Sequence, residues 1–464
     1  MGHAMMIFCG GPERSALRTA GSAAAVLLIV AAASVIGFAQ SAKVFPFESR
    51  LVTLKNGFKA YLIKTNAPGQ ISYMTVARVG SRDEWEPGKT GFAHFFEHVM
   101  FRGTEKYPDY DATVARAGAA LNAGTGADRT SYYLVIATES LEQIMDLESD
   151  RIMNLKYSEA DFRTEAGAVL GEFNQGRANP NRYLEEKLRD TAFDTHTYKH
   201  LTIGFEKDVR SMPEGYQYSL SFRERYYRPE NCVLLLAGDL DTSRAARLIE
   251  KYYASWKSGY VPPRVTPEPP QTAPRETRVE FPGRTLPIVT VAYKGPAWST
   301  TDKLAVASEV LGLVAFGPNS DIYRKLVLTD RKVQFLGNEF SLSRDPDLLA
   351  VRAMVNDPRD VQTVKDEIQK TVARFRAEPV NAKLLADTKS AMKYGFLMRL
   401  ETPQGINSAL REFVTFTGDI EAVETYYRTL AAVTADEVKM AATRFLVDTG
   451  RTTVTLLPAA EARP

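Results

Sequence analysis

Apolar and polar residues alternate along two early segments of the chain, 50–65 and 70–80, as they do in half-buried β-strands. Within the first segment, Asn56-Gly57 is a residue pair typical of a tight turn between antiparallel strands. Further along, an apolar run at 232–241 predicts a buried strand that closes the first half of the chain. The first half is therefore expected to contain a sheet of paired strands.

The spacing of apolar residues changes to a helical period in several segments of the same half. Residues 89–100 form the first of these segments. The second follows Ser158, which forms a capping-box pattern with Asp161, and it ends near Gly176. A further helix is predicted at 243–256, directly after the buried strand. Strands and helices thus occur in the mixed order of an α+β protein.

A proline-rich segment divides the chain. Residues 260–277 hold six prolines in a short polar stretch, which can form neither a helix nor a central strand, so we interpret it as an extended linker. Beyond the linker, the pattern of residues 71–85 and 91–103 returns at 286–298 and 302–317, which indicates a degenerate internal duplication. The alternative is that two α+β domains share this order by accident.

These patterns predict two structurally related α+β domains, 43–259 and 278–460, on either side of the linker. Each domain is expected to be a mostly antiparallel sheet packed with helices, and the two domains are expected to face each other across a cavity. A length of 464 residues agrees with two domains of about 200 residues each. The second domain contains no histidine, so we expect it to complete the cavity without repeating the chemistry of the first.

The composition is that of a soluble globular protein. Hydrophobic residues make up 44% of the chain, and 58 basic and 56 acidic residues leave a net charge of only +2. This balance excludes the strongly basic class of nucleic-acid-binding proteins and gives no sign of a charged membrane-surface binder. Of the two cysteines, Cys9 lies in a segment expected to be removed, so Cys232 is left without an intramolecular disulfide partner.

The N-terminus has the order of a secretory signal. Two arginines precede an uncharged, alanine-rich run at 23–39, whose end suits cleavage before Gln40. We expect residues 1–39 to be a cleaved signal peptide, which would make the protein exported and either periplasmic or secreted. The run is 17 residues long, which is close to the length of a membrane span, so the alternative is an anchor that stays attached.

Five histidines occur in the chain, and His94 and His98 lie four residues apart with Glu97 between them. On a helix, this spacing places both imidazoles on one face, where they can bind one Zn²⁺. Glu97 lies on nearly the same face without a ligand's spacing, so its carboxylate can take a proton from a water that the metal activates. The alternative is a helix with two unrelated histidines, which the flanking residues disfavour.

A catalytic zinc needs a third protein ligand and an open fourth position. Glu165 and Glu172 lie seven residues apart on the helix predicted after Ser158, so they share a face of that helix. Either glutamate alone would be an ordinary solvated residue. The spacing leaves open which of the two would reach the metal.

The His-x-x-Glu-His motif and the later glutamate pair resemble the inverted zinc motif of the pitrilysin/insulinase family of metallopeptidases, including its processing-peptidase branch. The resemblance implies that His94, His98 and Glu172 are the metal ligands, with one Zn²⁺ per chain. It also implies that Glu165 is a carboxylate that supports the ligands. Glu97 then has the position of the family's general base.

Residues 118–133 are similar to the segment that forms an edge strand beside the zinc in that family. An edge strand has unpaired backbone groups, so an extended peptide can add to it as another strand. The resemblance makes Asn122 and Ala123 the candidate substrate-binding residues. Thr125 fits a plain strand and turn equally well, and His196 is expected to be structural.

One departure from the family concerns residues 320–335. Self-sufficient members carry an arginine and a tyrosine here that bind the substrate carbonyl, and this sequence has no such pair. Either a second chain supplies the pair or the reaction proceeds without it. Shorter members of the family associate, so the resemblance implies a dimer, with a related subunit that lacks the zinc motif favoured over a second copy.

The sequence thus predicts a zinc-dependent endopeptidase that hydrolyses peptide bonds of short or unfolded peptides. The alternative is a non-catalytic peptide-binding or structural subunit of a related peptidase complex. A complete set of ligands together with a base argues against this alternative, because such a subunit has no need of them. Nucleic acid is not expected as a partner, and a membrane is expected only if the N-terminal segment is retained.

Overall fold

The computed structural model describes residues 43–340 and 342–459 of the chain. The signal or anchor predicted at 1–39, and Cys9 within it, lie outside the described residues. Cys232 is a buried free thiol. None of the helices in the described ranges is long and apolar enough to cross a membrane.

The two alternating segments and the apolar run at 232–241 are among the segments that form β-strands. In the described ranges these are β1 (Ser49–Thr53), β2 (Lys59–Lys64), β3 (Gln70–Ala77), β4 (Ala120–Thr125), β5 (Thr130–Ala137), β6 (Cys232–Gly238), β7 (Arg275–Phe281), β8 (Ile288–Lys294), β9 (Val333–Glu339), β10 (Leu348–Val355) and β11 (Arg451–Pro458). The predicted turn joins β1 to β2, and Gly57 within it has a φ of 90°, a left-handed conformation that glycine adopts without strain.

Helices cover the sheets and connect most of the strands. The described ranges contain α1 (Phe92–Val99), α2 (Tyr110–Arg116), α3 (Leu141–Asn154), α4 (Glu159–Gly176), α5 (Pro180–Ala192), α6 (Glu206–Ser211), α7 (Tyr216–Tyr226), α8 (Thr242–Tyr253), α9 (Lys303–Phe316), α10 (Val361–Ala377), α11 (Ala382–Met398), α12 (Pro403–Thr417), α13 (Ala422–Ala432) and α14 (Ala435–Phe445). Short 3₁₀ turns and a segment of mixed α and π turns at 321–329 link several of them.

The strands form two sheets. The first has six strands in the order β1-β2-β6-β3-β5-β4, and the second has five in the order β7-β11-β8-β10-β9. In each sheet one pair is parallel, β2 with β6 and β7 with β11, and the other pairs are antiparallel. Apart from β1, the second sheet therefore repeats the strand order and directions of the first. Two mostly antiparallel sheets packed with helices confirm the predicted α+β class.

One hydrophobic cluster of the described residues includes side chains of both sheets. Residues of the first sheet, among them Ile63, Met74 and Leu235, pack in the same cluster as residues of α9 to α14. Helix α12 packs on β3 and β6, where the buried amide of Asn407 donates to the carbonyl oxygens of Ser72 and Leu235 at 3.0 and 3.1 Å. Because a buried amide is costly unless it is hydrogen-bonded, these contacts fix the position of α12 on the first sheet.

Residues 254–274, which connect α8 to β7, contain neither helix nor strand. Glu268 in this segment accepts hydrogen bonds from the backbone N–H groups of the turn after α5, at Asp194, Thr195 and His196. Its carboxylate also pairs with Lys294 of β8 at 3.4 Å. The proline-rich segment is thus tied both to the first half of the chain and to the second sheet.

Candidate metal centre

Helix α1 is fixed at its start by a buried carboxylate. Glu84 accepts hydrogen bonds from the backbone N–H groups of Gly91 and Ala93 at 2.7 and 2.6 Å. These N–H groups belong to the first turn of the helix, where no backbone acceptor is available to them. The start of α1 is therefore held in one position relative to the first sheet.

One face of α1 is buried, and the opposite face carries the candidate chemistry. Three aromatic residues anchor the buried face, each at most 1% exposed: Phe92, Phe95 and Phe96. His94 and His98 lie one turn apart with their ring centres separated by 4.9 Å. The helix predicted from the sequence therefore places both imidazoles side by side.

Helix α4 brings the two glutamates to the same place. It begins at the predicted capping box, in which the side chain of Ser158 accepts from the N–H of Asp161 and the Asp161 carboxylate accepts from the N–H of Ser158. Its buried face packs against α1, with the rings of Phe162 and Phe95 at 4.8 Å. The face that carries Glu165 and Glu172 therefore lies beside the histidines.

The two glutamates differ in which histidine nitrogens they approach. Oε2 of Glu172 lies 3.4 Å from Nε2 of His94 and 3.5 Å from Nε2 of His98. In the described part of the chain, these three residues are the group whose ligand atoms could hold a metal ion, all within 4.8 Å of one another. A tetrahedral site with zinc bonds of about 2.0–2.1 Å has ligand atoms about 3.3–3.4 Å apart, so this donor set fits Zn²⁺.

Glu165 contacts the other nitrogen of a histidine. Its Oε2 lies 3.6 Å from Nδ1 of His98, and its Oε1 pairs with Arg102. A carboxylate at the nitrogen that is turned away from the metal fixes the orientation and tautomer of the ring. The positions of the two glutamates therefore differ in the way that the family resemblance implies, although the role of each residue stays a prediction.

The surroundings set the charge of each histidine. Burial lowers the pKa of His94, which therefore stays neutral at physiological pH. The contact with Glu165 raises the pKa of His98, and the same contact lowers the pKa of the Glu165 carboxyl. A neutral imidazole is the form that binds a metal. Burial therefore favours the metal-binding form of His94, whereas the contact with Glu165 favours the protonated form of His98.

Glu97 is held by Thr125, a residue that the sequence left open between a role at the site and a plain strand and turn. The hydroxyl of Thr125, the last residue of β4, donates a hydrogen bond to Oε2 of Glu97 at 2.7 Å. Glu97 itself is half-buried, and it is not one of the three residues whose atoms converge. The structure thus places a carboxylate beside the candidate ligands with one of its oxygens already oriented.

Strand β4 is one of the two edge strands of the first sheet and lies beside α1. Along it, Ala123 pairs with Tyr132, whose hydroxyl donates to the carbonyl oxygen of Phe96 in α1. Asn122 pairs with Tyr133, points to the opposite face and is exposed, with its side-chain oxygen bonded to the N–H of Ala123. Both candidate substrate-binding residues therefore belong to the free edge, on opposite faces of it.

The two later histidines are buried and bonded within the fold. Nε2 of His196 lies 3.0 Å from Asp345, and its Nδ1 accepts from the N–H of Tyr198. His200 contacts the carbonyl oxygen of Leu201 through Nδ1 at 2.9 Å. Neither belongs to the group of residues in the described ranges that could hold a metal.

Comparison with known proteins bears on what this site can do. Residues 61–204 match the sequence model of the insulinase family, peptidase family M16, and residues 216–392 match that of the peptidase M16 inactive domain. The zinc protease PqqE of Helicobacter pylori is 26% identical over 414 residues, which cover 88% of this chain and 92% of that protein. The β subunit of the mitochondrial-processing peptidase of Caenorhabditis elegans is 27% identical over 290 residues, or 61% and 62% of the two chains.

Solved structures show the same fold. The crystal structure of a protease from Helicobacter pylori superposes with a TM-score of 0.83 at 25% identity, over 89% of this chain and all of the other (100%). The first half of the periplasmic protease PqqL from Escherichia coli superposes with a TM-score of 0.72 at 17% identity, over 88% of this chain and 92% of that one. The arrangement of the two sheets is therefore common to this chain and to these proteases.

Proposed function

Since this chain belongs to the pitrilysin/insulinase family of peptidases, we propose that it is a zinc-dependent endopeptidase that cleaves short or unfolded peptides. The observation that carries the proposal is the convergence of His94, His98 and Glu172 next to Glu97. Two imidazoles and one carboxylate are the donor set of several catalytic zinc sites. The relatives that are named zinc proteases support the same chemistry.

In this proposal His94, His98 and Glu172 hold one Zn²⁺ per chain, and Glu165 supports His98. A Zn²⁺ ion held there would act as a Lewis acid that lowers the pKa of a water molecule and polarises a carbonyl oxygen. His94 is ready to act as a ligand because burial lowers its pKa and keeps it neutral. Glu165 stays ionised because its contact with His98 lowers the pKa of its carboxyl, so it can hold the ring of His98 in place.

Glu97 is the proposed general base. Its carboxylate takes a proton from the attacking water and passes it to the nitrogen of the leaving amine, so Glu97 ends the reaction in its starting state. Thr125 orients one carboxylate oxygen, Oε2, which leaves Oε1 free to carry the proton. Because the base is already oriented, it loses little conformational entropy when the transition state forms.

The substrate is proposed to bind as an added strand along the free edge of β4, at Asn122 and Ala123. Its backbone would pair with unpaired N–H and C=O groups of the edge, which gives affinity without demanding a particular sequence. Such pairing requires an extended segment, so a folded protein is excluded unless it unfolds locally. This is why short or unfolded peptides are the expected substrates.

Removal of the metal tests this function. After dialysis against a chelator, the purified protein is expected to lose cleavage of a mixture of unfolded peptides, and one equivalent of Zn²⁺ is expected to restore it. Mass spectrometry of the products should find cuts inside the peptides. Because residues 216–392 match a domain described as inactive, the alternative is a non-catalytic subunit. A zinc-loaded protein that binds these peptides without cutting them would favour that subunit and overturn the proposal.

We also propose that the active species is a dimer, with a related subunit that lacks the zinc motif favoured over a second copy. The similarity to a protein named as one subunit of a processing peptidase supports this. If the missing arginine and tyrosine are supplied by the partner, the isolated chain should turn over peptides roughly 10²- to 10³-fold more slowly than the complex. Mass in solution and turnover, with and without a paralogous subunit from the same source, test this. A lone chain with undiminished turnover that no partner changes would contradict it.

We also propose that the protein is exported. Cleavage before Gln40 would then leave a mature protein that is periplasmic or secreted. The support is the signal-like order of residues 1–39. Mass spectrometry of the N-terminus of the protein from its natural source distinguishes cleavage from a retained anchor at 23–39. A mature chain that still contains residues 23–39 would favour the anchor.

A further inference from the structure

A cavity of about 430 Å³ adjoins Glu172 of the candidate metal centre. Three charged residues of α5 line it, Arg182, Glu185 and Arg189, together with Tyr198 and residues 200–203, which follow α5 in the chain. The proposed reaction uses none of these three charges. A charged group in a partly enclosed cavity is stabilised by a partner within the protein, by water or by a ligand, so the contacts of each of the three decide which is available.

Glu185 and Arg189 have their partners within the protein. Glu185 accepts hydrogen bonds from Arg189 at 2.8 Å and from Arg352 of β10 at 2.6 Å. Arg189 also pairs with Asp347 at 3.2 Å. His200, which lines the same cavity, is neutral because burial lowers its pKa to about 4. Arg352 also pairs with Glu339 at 3.2 Å, so each basic side chain of this group has an acidic partner within the protein.

Arg182 differs from these groups. In the described part of the chain, its guanidinium donates no hydrogen bond, and its one ion-pair contact is a distance of 3.8 Å from Nη1 to Oε1 of Glu172. The other oxygen of Glu172 faces both histidines. When that carboxylate serves a metal ion, its charge is largely compensated, and the guanidinium of Arg182 is left with donors for a second anion. The side chain is 28% exposed, so a ligand can reach it.

Gly176, the last residue of α4, makes room for this guanidinium. A Cβ atom on Gly176 would lie 2.3 Å from Nη1 and 2.6 Å from Cζ of Arg182. Gly176 is not among the glycines with a positive φ, so its backbone conformation does not require glycine. Glycine at this position therefore makes room for Arg182 at the end of α4, and the turn that follows does not require it.

We propose that Arg182 is a specificity-determining residue that binds a carboxylate of the peptide substrate in this cavity. The inference rests on the proposed peptidase function and assigns a substrate class to it. A guanidinium binds a carboxylate through two parallel hydrogen bonds, a geometry that an amide does not reproduce. An acidic side chain near the scissile bond and the free C-terminus of a short peptide both offer this group. Peptides that place a carboxylate in the cavity are cleaved in preference to their amide counterparts.

Matched peptides test the assignment. One set carries glutamate or glutamine at each position around a cut, and a second set has a free or an amidated C-terminus, so the two sources of the carboxylate are distinguished. The protein is expected to prefer the carboxylate in one set by about tenfold to a hundredfold in kcat/KM. Arg182→Gln is expected to abolish this preference. Arg182→Glu is expected to reverse it in favour of lysine at the same position of the substrate, which a purely structural role of Arg182 would not do.

Two further variants test whether the carboxylate preference depends on where the guanidinium of Arg182 lies. Gly176→Ala is expected to weaken the carboxylate preference several-fold without loss of thermal stability, because alanine is the better helix former and the added methyl group displaces only the end of the Arg182 side chain. Arg177→Gln is the matched control. Arg177 is an exposed neighbour that pairs with Glu206, and its variant should keep the preference of the unmodified protein.

Binding is measured separately from cleavage. Fluorescence anisotropy of the same peptides with the Glu97→Gln protein, with and without Arg182→Gln, reports the carboxylate preference when no peptide is cut. If no peptide is cleaved by the unmodified protein but binding still prefers the carboxylate through Arg182, the peptidase function fails and the assignment of Arg182 stands. Equal effects of Arg182→Gln on acid and amide peptides would overturn the assignment. Loss of zinc from Arg182→Gln would overturn it too, because Arg182 would then serve Glu172.

Discussion

Replacing Glu97 with glutamine is expected to leave zinc bound and to lower peptide turnover by about 10²- to 10⁴-fold, the usual contribution of a general base. The amide has the shape of the carboxylate, and its oxygen can still accept the hydrogen bond that Thr125 donates. What glutamine loses is the ability to take a proton from water. The measurement is kcat for the variant and the unmodified protein at equal zinc content.

A glutamate outside the site supplies the control for this variant. Glu105 is exposed and pairs with Lys156 at 3.0 Å, away from the candidate ligands. Glu105→Gln removes one negative charge as Glu97→Gln does, and it should keep normal turnover. Full turnover in a zinc-loaded Glu97→Gln protein would exclude Glu97 as the base.

Replacing Glu172 with glutamine is expected to release zinc far more readily than replacing Glu165 with glutamine. Glu172 offers an oxygen to the space between the two Nε2 atoms, at 3.4 and 3.5 Å, whereas Glu165 contacts Nδ1 of His98 from behind. Loss of a supporting carboxylate typically weakens metal affinity by about 10- to 100-fold, and loss of a charged ligand should cost more. Zinc content after dialysis against chelators of graded strength measures the difference.

The two glutamate variants control for each other, since both remove one negative charge from the same face of α4. If both retained the same amount of zinc, Glu172 would not be a ligand. If Glu165→Gln lost zinc more readily than Glu172→Gln, the roles of the two glutamates would be exchanged. Circular dichroism of both variants without metal checks that neither substitution unfolds the helix.

The local elements of the fold could be predicted because their causes are local. The capping box at Ser158 and Asp161 starts α4 where the sequence places it, and the glycine at position 57 allows the turn that joins β1 to β2. The spacing of His94 and His98 on α1 depends only on the helical period. The α+β class follows from the order of these elements, and the comparisons confirm the family that the zinc motif resembles.

Contacts between distant residues could not be predicted in the same way. Thr125 and Glu97 are separated by 28 residues, and Asn407 and Ser72 by 335. No periodicity in the sequence encodes such a contact, because it depends on how elements pack. The position of Arg182 against Gly176 is a further example, since glycine near the end of a helix is usually explained by the turn that follows. Arg182 therefore has no signature of its own in the sequence.

Which of Glu165 and Glu172 binds the metal depends partly on local structure and partly on contacts between distant residues. Their seven-residue spacing places both on one face of α4, which a helical period predicts. Which of them approaches the histidines depends on the packing of α4 against α1, through contacts such as that of Phe162 with Phe95. The distances favour Glu172, in agreement with the family resemblance, and the paired variants above test this choice.

X-ray diffraction from crystals of the zinc-loaded Glu97→Gln protein, with data collected on both sides of the zinc absorption edge, tests whether His94, His98 and Glu172 hold the metal. We expect one strong anomalous peak per chain, within about 2.0–2.2 Å of Nε2 of His94, Nε2 of His98 and a carboxylate oxygen of Glu172. A peak at another position, or none at these residues in a protein whose solution contains stoichiometric zinc, would contradict this expectation.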